Sequence, residues 1–483
     1  MLRPRTQGAL RQSLFTSVFS PVFTAVFGGA PVIDAYAIGG ASPELVAAFL
    51  TAADGTTEGE YFRTGGAVDD FSMFTFSRSG TATYFDSSGT LQTAADGVAR
   101  RNAYYYNGSA WAKGGLQLES AAATNLEPYS NDFTSGDWYI VLTDSLTLTA
   151  AGANGPDGNM SLSRLEITDT TNEVHGVSNT RGFSANTTYC MSAFVRNDDQ
   201  RYVGLWAWGV GNHWVHVTFD LQTGTKTDTQ TGATSGTVVG ADIEDYGGGL
   251  YRIWMAFSVA DVSSTEQYAL FFNSSGTPTL SAEFGSEAYA GTAGVGCYFG
   301  FFQFEAGSVP TSYIPTTGST VTRAAETLSV AAANLPYSAT AMSISMKGLM
   351  TYADDNLTTQ SAFYNWSLSA SDNIQAILAT NSTRVGELRV SQDSTTDGAN
   401  SLAVQVFNPG VNVPFNISSR HLPSEFQLAY DGTTSSIDSD PTVLPDLSAT
   451  DIVLGGNGFN GFISEFRMWG TDIGDSGIEE VTS

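Results

Sequence analysis

The residues in this chain best suited to chemistry are aromatic. Tyr202-Val-Gly-Leu-Trp-Ala-Trp208 is followed closely by Asn212, His213 and Trp214. In an extended strand Trp206 and Trp208 point to one face and Val203, Leu205 and Ala207 to the other, so one set can fill a core while the other is offered outward. Two indoles spaced by two residues make a flat platform, with Tyr202 and Trp214 beside it. The apolar CH face of a sugar ring stacks on such a surface, and Asn212, Asp220 or Glu244 would accept its hydroxyl protons. The competing reading is that the tryptophans are inner-face core; the sequence leaves both open.

Other candidate chemistry is sparse. His213 and His216, three apart, would make a zinc pair on a helix, but from a strand they face opposite sides, which favours solvation or packing. His175 and His421 have no companion ligands in sequence. Asp354-Asp-Asn356 and Asp438-Ser-Asp440 suit a structural calcium ion or, more simply, solvated turns, and no other cofactor is expected. There is no Gly-x-Ser-x-Gly elbow, His-Glu-x-x-His or phosphate loop; Gly247-Gly-Gly249 is a hairpin turn with no helix after it. A glycosidase needs two carboxylates across one bond, and 48 acidic residues make chance pairs inevitable without singling one out. No enzymatic activity is expected.

The elements that position these residues are strands. Charged residues are only 14% of the chain, against 51 glycines and 12% aromatics, a mixture that short strands and tight turns require. The 483 residues suffice for about three domains, each with its own core. The formal charge is −28 and only Lys113, Lys226 and Lys347 are lysines. A nucleic-acid backbone or anionic lipid surface would be repelled, so neither is an expected partner. Cys190 and Cys297 fall in two predicted strands of one domain. Pairing would need those strands to be neighbours with close Cα atoms; two cysteines in so long a chain read instead as free, buried thiols.

Residues 1–50 read as an anchor arm with a short helix, where Ser42 caps and Pro43 opens Ser42-Pro-Glu-Leu-Val-Ala-Ala-Phe-Leu-Thr51. Arg3, Arg5 and Arg11 before Leu14–Phe27, with Ala35-Tyr-Ala37 after, outline a secretory signal. Against it, Ser17, Ser20, Pro21 and Thr24 break the apolar run. Those interruptions and the length also argue against membrane insertion. Phe15, Phe19, Phe23 and Phe27 would leave a sticky tail on a free monomer, so an arm buried against neighbours is expected. Residues 51–127 read as a β-hairpin linker with turns at Ser79-Gly80, Ser88-Gly89 and Asn107-Gly108. Residues 128–315 hold some eight strands, spaced as in a jelly-roll sandwich, and 316–483 a second sandwich. The closing run Phe459–Trp469 predicts Phe462, Ser464, Phe466 and Met468 on one side and Ile463, Glu465, Arg467 and Trp469 on the other. The fold class is therefore all-β: tandem jelly-roll β-sandwiches behind an extended N-terminal anchor and a small β linker. Pro310 and Pro315 make the connector between the sandwiches stiff.

Several stretches recur together elsewhere. Phe76-Ser-Arg-Ser-Gly-Thr-Ala-Thr-Tyr-Phe-Asp-Ser-Ser-Gly-Thr-Leu-Gln-Thr93, Gly115-Leu-Gln-Leu-Glu119, Thr124-Asn-Leu126, Asp245-Tyr-Gly-Gly-Gly-Leu-Tyr-Arg252, and Glu305 to Arg323 with the following Ala-Ala-Glu326 resemble segments of virion fibre and spike proteins of tailed bacteriophages. The resemblance covers roughly residues 70 to 325, in the right order. It implies a carbohydrate-binding-module-like sandwich over 128–315. The closing strand resembles that of concanavalin-like or laminin-G-like folds, which implies a second such domain over 316–483. The implied role is a tail fibre or baseplate spike that binds host-surface polysaccharide during adsorption. It would be a homotrimer, assembled in the host cytoplasm and joined to other virion proteins through the Phe15, Phe19, Phe23 and Phe27 arm. The alternatives are a capsid-attached head fibre or decoration protein, and a polysaccharide-degrading virion hydrolase.

Overall fold

The computed structural model describes residues 36–50, 60–63, 66–67, 71–141, 145–210, 212–232, 236–262, 266–351, 361–379, 387–404, 407 and 410–483. Phe15, Phe19, Phe23, Phe27 and Asp354-Asp-Asn356 lie outside them. The architecture is all-β, two sandwiches in tandem. In the central one, two six-stranded antiparallel sheets face each other. The first runs Trp138–Val141, Gly176–Thr180, Gln267–Asn273, Tyr202–Trp208, Trp214–Asp220, Thr225–Thr231; the second Leu146–Asn154, Met160–Ile167, Gly296–Ala306, Tyr189–Asn197, Leu250–Val259, Gly236–Asp245. Period-two alternation sends Val203, Leu205, Ala207, Val215, Val217 and Phe219 of the first sheet against Met191, Ala193, Val195, Ile253, Met255 and Phe257 of the second.

A bulge in the Gly296–Ala306 strand redirects one aromatic ring. Phe301 sits at φ 51°, its amide held by Asn131 Oδ1 at 3.0 Å. The slip lets Phe299, Phe302 and Phe304 all enter the core while Phe301 turns out onto Tyr313, ring centroids 5.0 Å apart. Cys190 and Cys297 lie on neighbouring strands but face Glu305 and Asn197 respectively, and both are free, buried thiols.

The second sandwich draws on both ends of the chain. Its 12-stranded sheet runs Thr433–Thr434, Glu425–Tyr430, Pro414–Leu422, Met342–Met350, Asn460–Trp469, Trp111–Glu119, Arg100–Tyr106, Ala82–Phe85, Leu91–Ala94, with Leu45–Ala48, Glu60–Arg63 and Gly66–Ala67 branching from the far half of Asn460–Trp469. The facing seven-stranded sheet runs Ser401–Val404, Glu387–Asp393, Asp372–Ala379, Ser361–Ser369, Ile452–Gly456, Thr327–Val330, Phe74–Ser77. The segment read as a linker therefore supplies strands to both sheets, and the central sandwich is an insertion between residues 127 and 316.

Two local expectations are corrected. Leu45–Ala48 is a strand and not part of a helix: all four residues are buried, and the backbone pairs with Glu60–Arg63 on one side and 465–468 on the other. Unpaired polar backbone on Asn460–Trp469 is thereby satisfied, and that gain outweighs alanine's helical preference. The described α-helix is instead Gly474–Thr482. In the closing strand, a register shift where Ser464 has no opposite number places Ile463 in the core with Phe466 and Met468, and turns Phe462 to the other face beside Ala103 and Leu349.

The two sandwiches are joined by a buried ion cluster. Glu326 receives Arg78 Nη1 at 2.7 Å and Arg100 Nη2 at 2.6 Å; Arg100 also reaches Glu119 at 2.9 Å, and Arg323 Nε approaches Glu119 at 3.3 Å. Glu119 further accepts the Ser312 amide at 2.8 Å and hydroxyl at 2.5 Å, which ties the connector in. Asn125 Nδ2 donates to Ile314 O at 2.9 Å, and Thr316 Oγ1 to Glu127 O at 2.6 Å, so the Pro310–Pro315 stretch is pinned along its length. Three of the segments that carry the sequence resemblance, 76–93, 115–119 and 305–326, thus converge on one knot of charge.

Candidate functional site

The predicted alternation of the tryptophan strand holds: Val203, Leu205 and Ala207 are core, and Trp206 and Trp208 lie on the outer face. That face is roofed by the chain itself. Trp206 Nε1 donates to Phe284 O at 2.7 Å, Trp214 Nε1 to Ala282 O at 3.1 Å, and His216 Nδ1 meets Gly285 O at 2.9 Å. Gly285, at φ +67°, lies flat on Trp214; a Cβ there would fall 2.1 Å from Trp214 Cδ2. Trp206 and Trp214 are 4% and 5% exposed, too little for a sugar ring to stack on while the roof is in place. Trp208 is half-buried beside the exposed Phe284 ring, centroids 6.4 Å apart.

The accompanying polar residues are scattered. Asn212 is exposed in the turn next to Trp208. Tyr202 and Asp220 face each other at the opposite end of the strand pair from Trp208 and Trp214, roughly 20 Å away at about 3.3 Å per residue. Arg201 grips Asp220 with bonds of 2.9 and 2.6 Å and covers the Tyr202 ring at 4.9 Å. Its hold on Asp220 keeps that carboxyl at about 2. His213 pairs with Asp261 at 3.2 Å, and no metal-ligating cluster occurs among the described residues.

What the structure does assemble is a cleft where the insertion meets its host. Two hairpin tips build it. The 100–106 and 111–119 strands turn through Asn107, whose Oδ1 accepts the Ser109 and Ala110 amides; the 236–245 and 250–259 strands turn through Tyr246-Gly-Gly-Gly249, all three glycines at positive φ. Gly247 suits glycine because its φ is +81°, and a Cβ there would also lie 3.1 Å from the Tyr106 ring. Trp111 packs among Phe85, Tyr106 and Tyr246 at centroid distances of 5.1, 5.7 and 6.0 Å. Tyr84, Tyr104 and Tyr105 continue the wall, and buried Phe194, Tyr313 and Phe462 form the floor. About 700 Å³ of space lies among these side chains, part of it open solvent at the mouth, and about 80 Å³ of it can hold the centre of a water molecule.

Polar groups converge on the same cleft. Glu244, Asp245, Arg252, Thr311, Asn412 and Asn460 line it. Tyr246 Oη donates to Glu244 Oε2 at 3.1 Å, and burial together with Glu244 pushes that phenol well up. Sequence reasoning placed only Glu244 among binding candidates and missed the aromatic wall. The signal was there in Tyr104-Tyr-Tyr106 and Trp111, yet nothing in sequence joins them to Tyr246.

Buried titratable groups make acid stability predictable. Burial drops His216 to about 4 despite its bond to Gly285 O, and burial with Arg420 nearby drops His421 to about 3, against an ordinary 6.5. Burial would raise Glu119, but Arg323, Arg100 and Ser312 outweigh it and hold the carboxyl at about 2, against 4.5. All three folded values lie below the unfolded ones, so stability present above pH 6.5 is lost as pH falls, first through the histidines and below 4.5 through Glu119 as well. At about 1.4 kcal/mol per unit, His216 alone withdraws roughly 3 kcal/mol. The melting temperature should be level from pH 8 to 7 and fall continuously from pH 6 to 3; no change between pH 7 and 4 would contradict the assignment.

No family model matches the chain, and no curated protein matches it. Among solved structures, the CBM40 of the Ruminococcus gnavus IT-sialidase bound to α2,3-sialyllactose aligns at 11% identity over 30% of this chain and 84% of that one, TM-score 0.25. The receptor binding domain of botulinum neurotoxin D aligns at 15% identity over 32% of this chain and 40% of that one, TM-score 0.26. Likenesses this partial carry no functional argument.

Proposed function

We propose that this chain is a glycan-binding adhesin, a fibre or spike subunit of a bacteriophage virion that holds host-surface polysaccharide during adsorption. The observation that carries the binding role is the interdomain cleft, where half-exposed tyrosines and Trp111 stand over carboxylate and amide side chains. Aromatic faces take the CH side of a pyranose and the polar groups take its hydroxyls, which is the division of labour a sugar site needs. The virion role is supported by the phage-like segments, whose Arg78, Glu119, Arg323 and Glu326 form one buried cluster. The role is binding and not catalysis. Trimerisation and attachment through the N-terminal arm complete the reading, since many weak sites on one particle act together through effective concentration.

Tyr104→Ala should weaken glycan binding roughly tenfold, about 1.4 kcal/mol, while leaving the melting temperature within a few degrees. A glycan array followed by titration calorimetry on the full chain checks this. Unchanged affinity would remove the cleft from the proposal. Proteomics of purified particles tests the virion role separately, and absence of the chain from them would end it.

A further inference from the structure

The charge of the cleft bears on which sugars it would accept. Its charged lining residues are Glu244, Asp245 and Arg252, and no lysine is among them. Arg252 is a committed cation: Nη2 donates to Ser192 Oγ at 3.0 Å and to Thr311 O at 2.8 Å, and the guanidinium lies 5.7 Å over the Phe194 ring. It is also 4% exposed, so its charge faces the protein more than the opening. Asp245, by contrast, is exposed at the rim.

Hydroxyl and amide groups of the lining can donate or accept, so the charged groups decide the preference. Asn412, held at φ 56°, keeps its Oδ1 out of solvent with no hydrogen-bond partner among the described residues. The acceptors nearer the opening, Glu244 and Asp245, accept hydrogen bonds and cannot donate them. A ligand hydroxyl or ammonium satisfies such acceptors. A ligand carboxylate, itself an acceptor, cannot donate to these groups and adds like-charge repulsion in a chain of formal charge −28.

Resting on the glycan-binding reading above, we propose that this cleft selects uncharged glycans and discriminates against uronate-, sialate- or sulfate-bearing ones. The test uses the full chain and matched pairs: neutral oligosaccharides and the same oligomers oxidised to carboxylates at C6, titrated at low and at physiological salt. The expected result is binding of neutral members with their carboxylate counterparts at least tenfold weaker at low salt. The gap should narrow as salt screens the repulsion, and in Glu244→Gln and Asp245→Asn variants. Equal or tighter binding of the carboxylates, with Tyr104→Ala still lowering affinity, overturns the charge selection and spares the sugar site. Failure of every member to bind, or binding indifferent to Tyr104→Ala, overturns the site itself.

Discussion

Glu326→Ala destabilises this protein by roughly 3–5 kcal/mol, the usual cost of leaving buried charge uncompensated. The carboxylate is 1% exposed and receives Arg78, Arg100 and the Glu119 amide, the last at 2.8 Å. Deleting it takes the carboxylate from Arg78 and leaves Arg100 with Glu119 alone, both guanidiniums being buried. Because the cluster also anchors Ser312 through Glu119, loosening should spread to the connector and be seen as faster proteolysis between residues 305 and 326. Thermal melting and limited proteolysis check the two halves of the expectation. A melting temperature within two or three degrees of wild type would show that the cluster is dispensable. The paired replacement Arg100→Met with Glu326→Leu should recover part of the loss, since apolar substitution of a whole pair costs less than breaking one.

Trp206→Ala is the second large effect, about 3–5 kcal/mol, because it empties a cavity under the roof formed by residues 282–285 and leaves Phe284 O without its donor. Trp206→Phe separates the two contributions: most of the packing against Phe271, now at 5.1 Å, persists and only the hydrogen bond is lost, roughly 1 kcal/mol. Differential scanning calorimetry of both variants decides the matter. A Trp206→Ala chain that melts like wild type but has lost glycan binding would instead make the indole an exposed platform.

These two sites show what the sequence could and could not convey. The strand alternation of Val203, Leu205 and Ala207 against Trp206 and Trp208 is a period-two pattern, so the inward face was legible. What covers the outward face was not, because the roof grips through backbone carbonyls of residues 282, 284 and 285, which any sequence possesses. The slips at Phe301 and Ser464 were equally silent: each breaks the period-two pattern, and the second inverts the expected placing of Phe462 and sends it to the floor of the cleft. The Leu45–Ala48 strand was misread because four buried apolar residues suit a helix or a strand, and one of its two partners lies more than four hundred residues away. The turns at Asn107-Gly108 and Gly247–Gly249 were visible as hairpins, but that their tips meet is a fact of tertiary structure alone.

The insertion leaves and rejoins its host at one narrow neck. Ala123–Asn125 pairs directly with Val321–Arg323, so the two crossing strands run side by side, about 5 Å apart. Meanwhile the host closes on itself across a long stretch of sequence: Trp469 Nε1 donates to Ala41 O at 3.2 Å over a separation of 428 residues. Any lobe whose own ends emerge a strand's width apart could be spliced in at that neck without disturbing the sheets that carry it. Half of the interdomain cleft would travel with the graft. The chain is thereby arranged as a socket with an inserted head, whose exchange takes two crossovers in sequence that meet at one place in space.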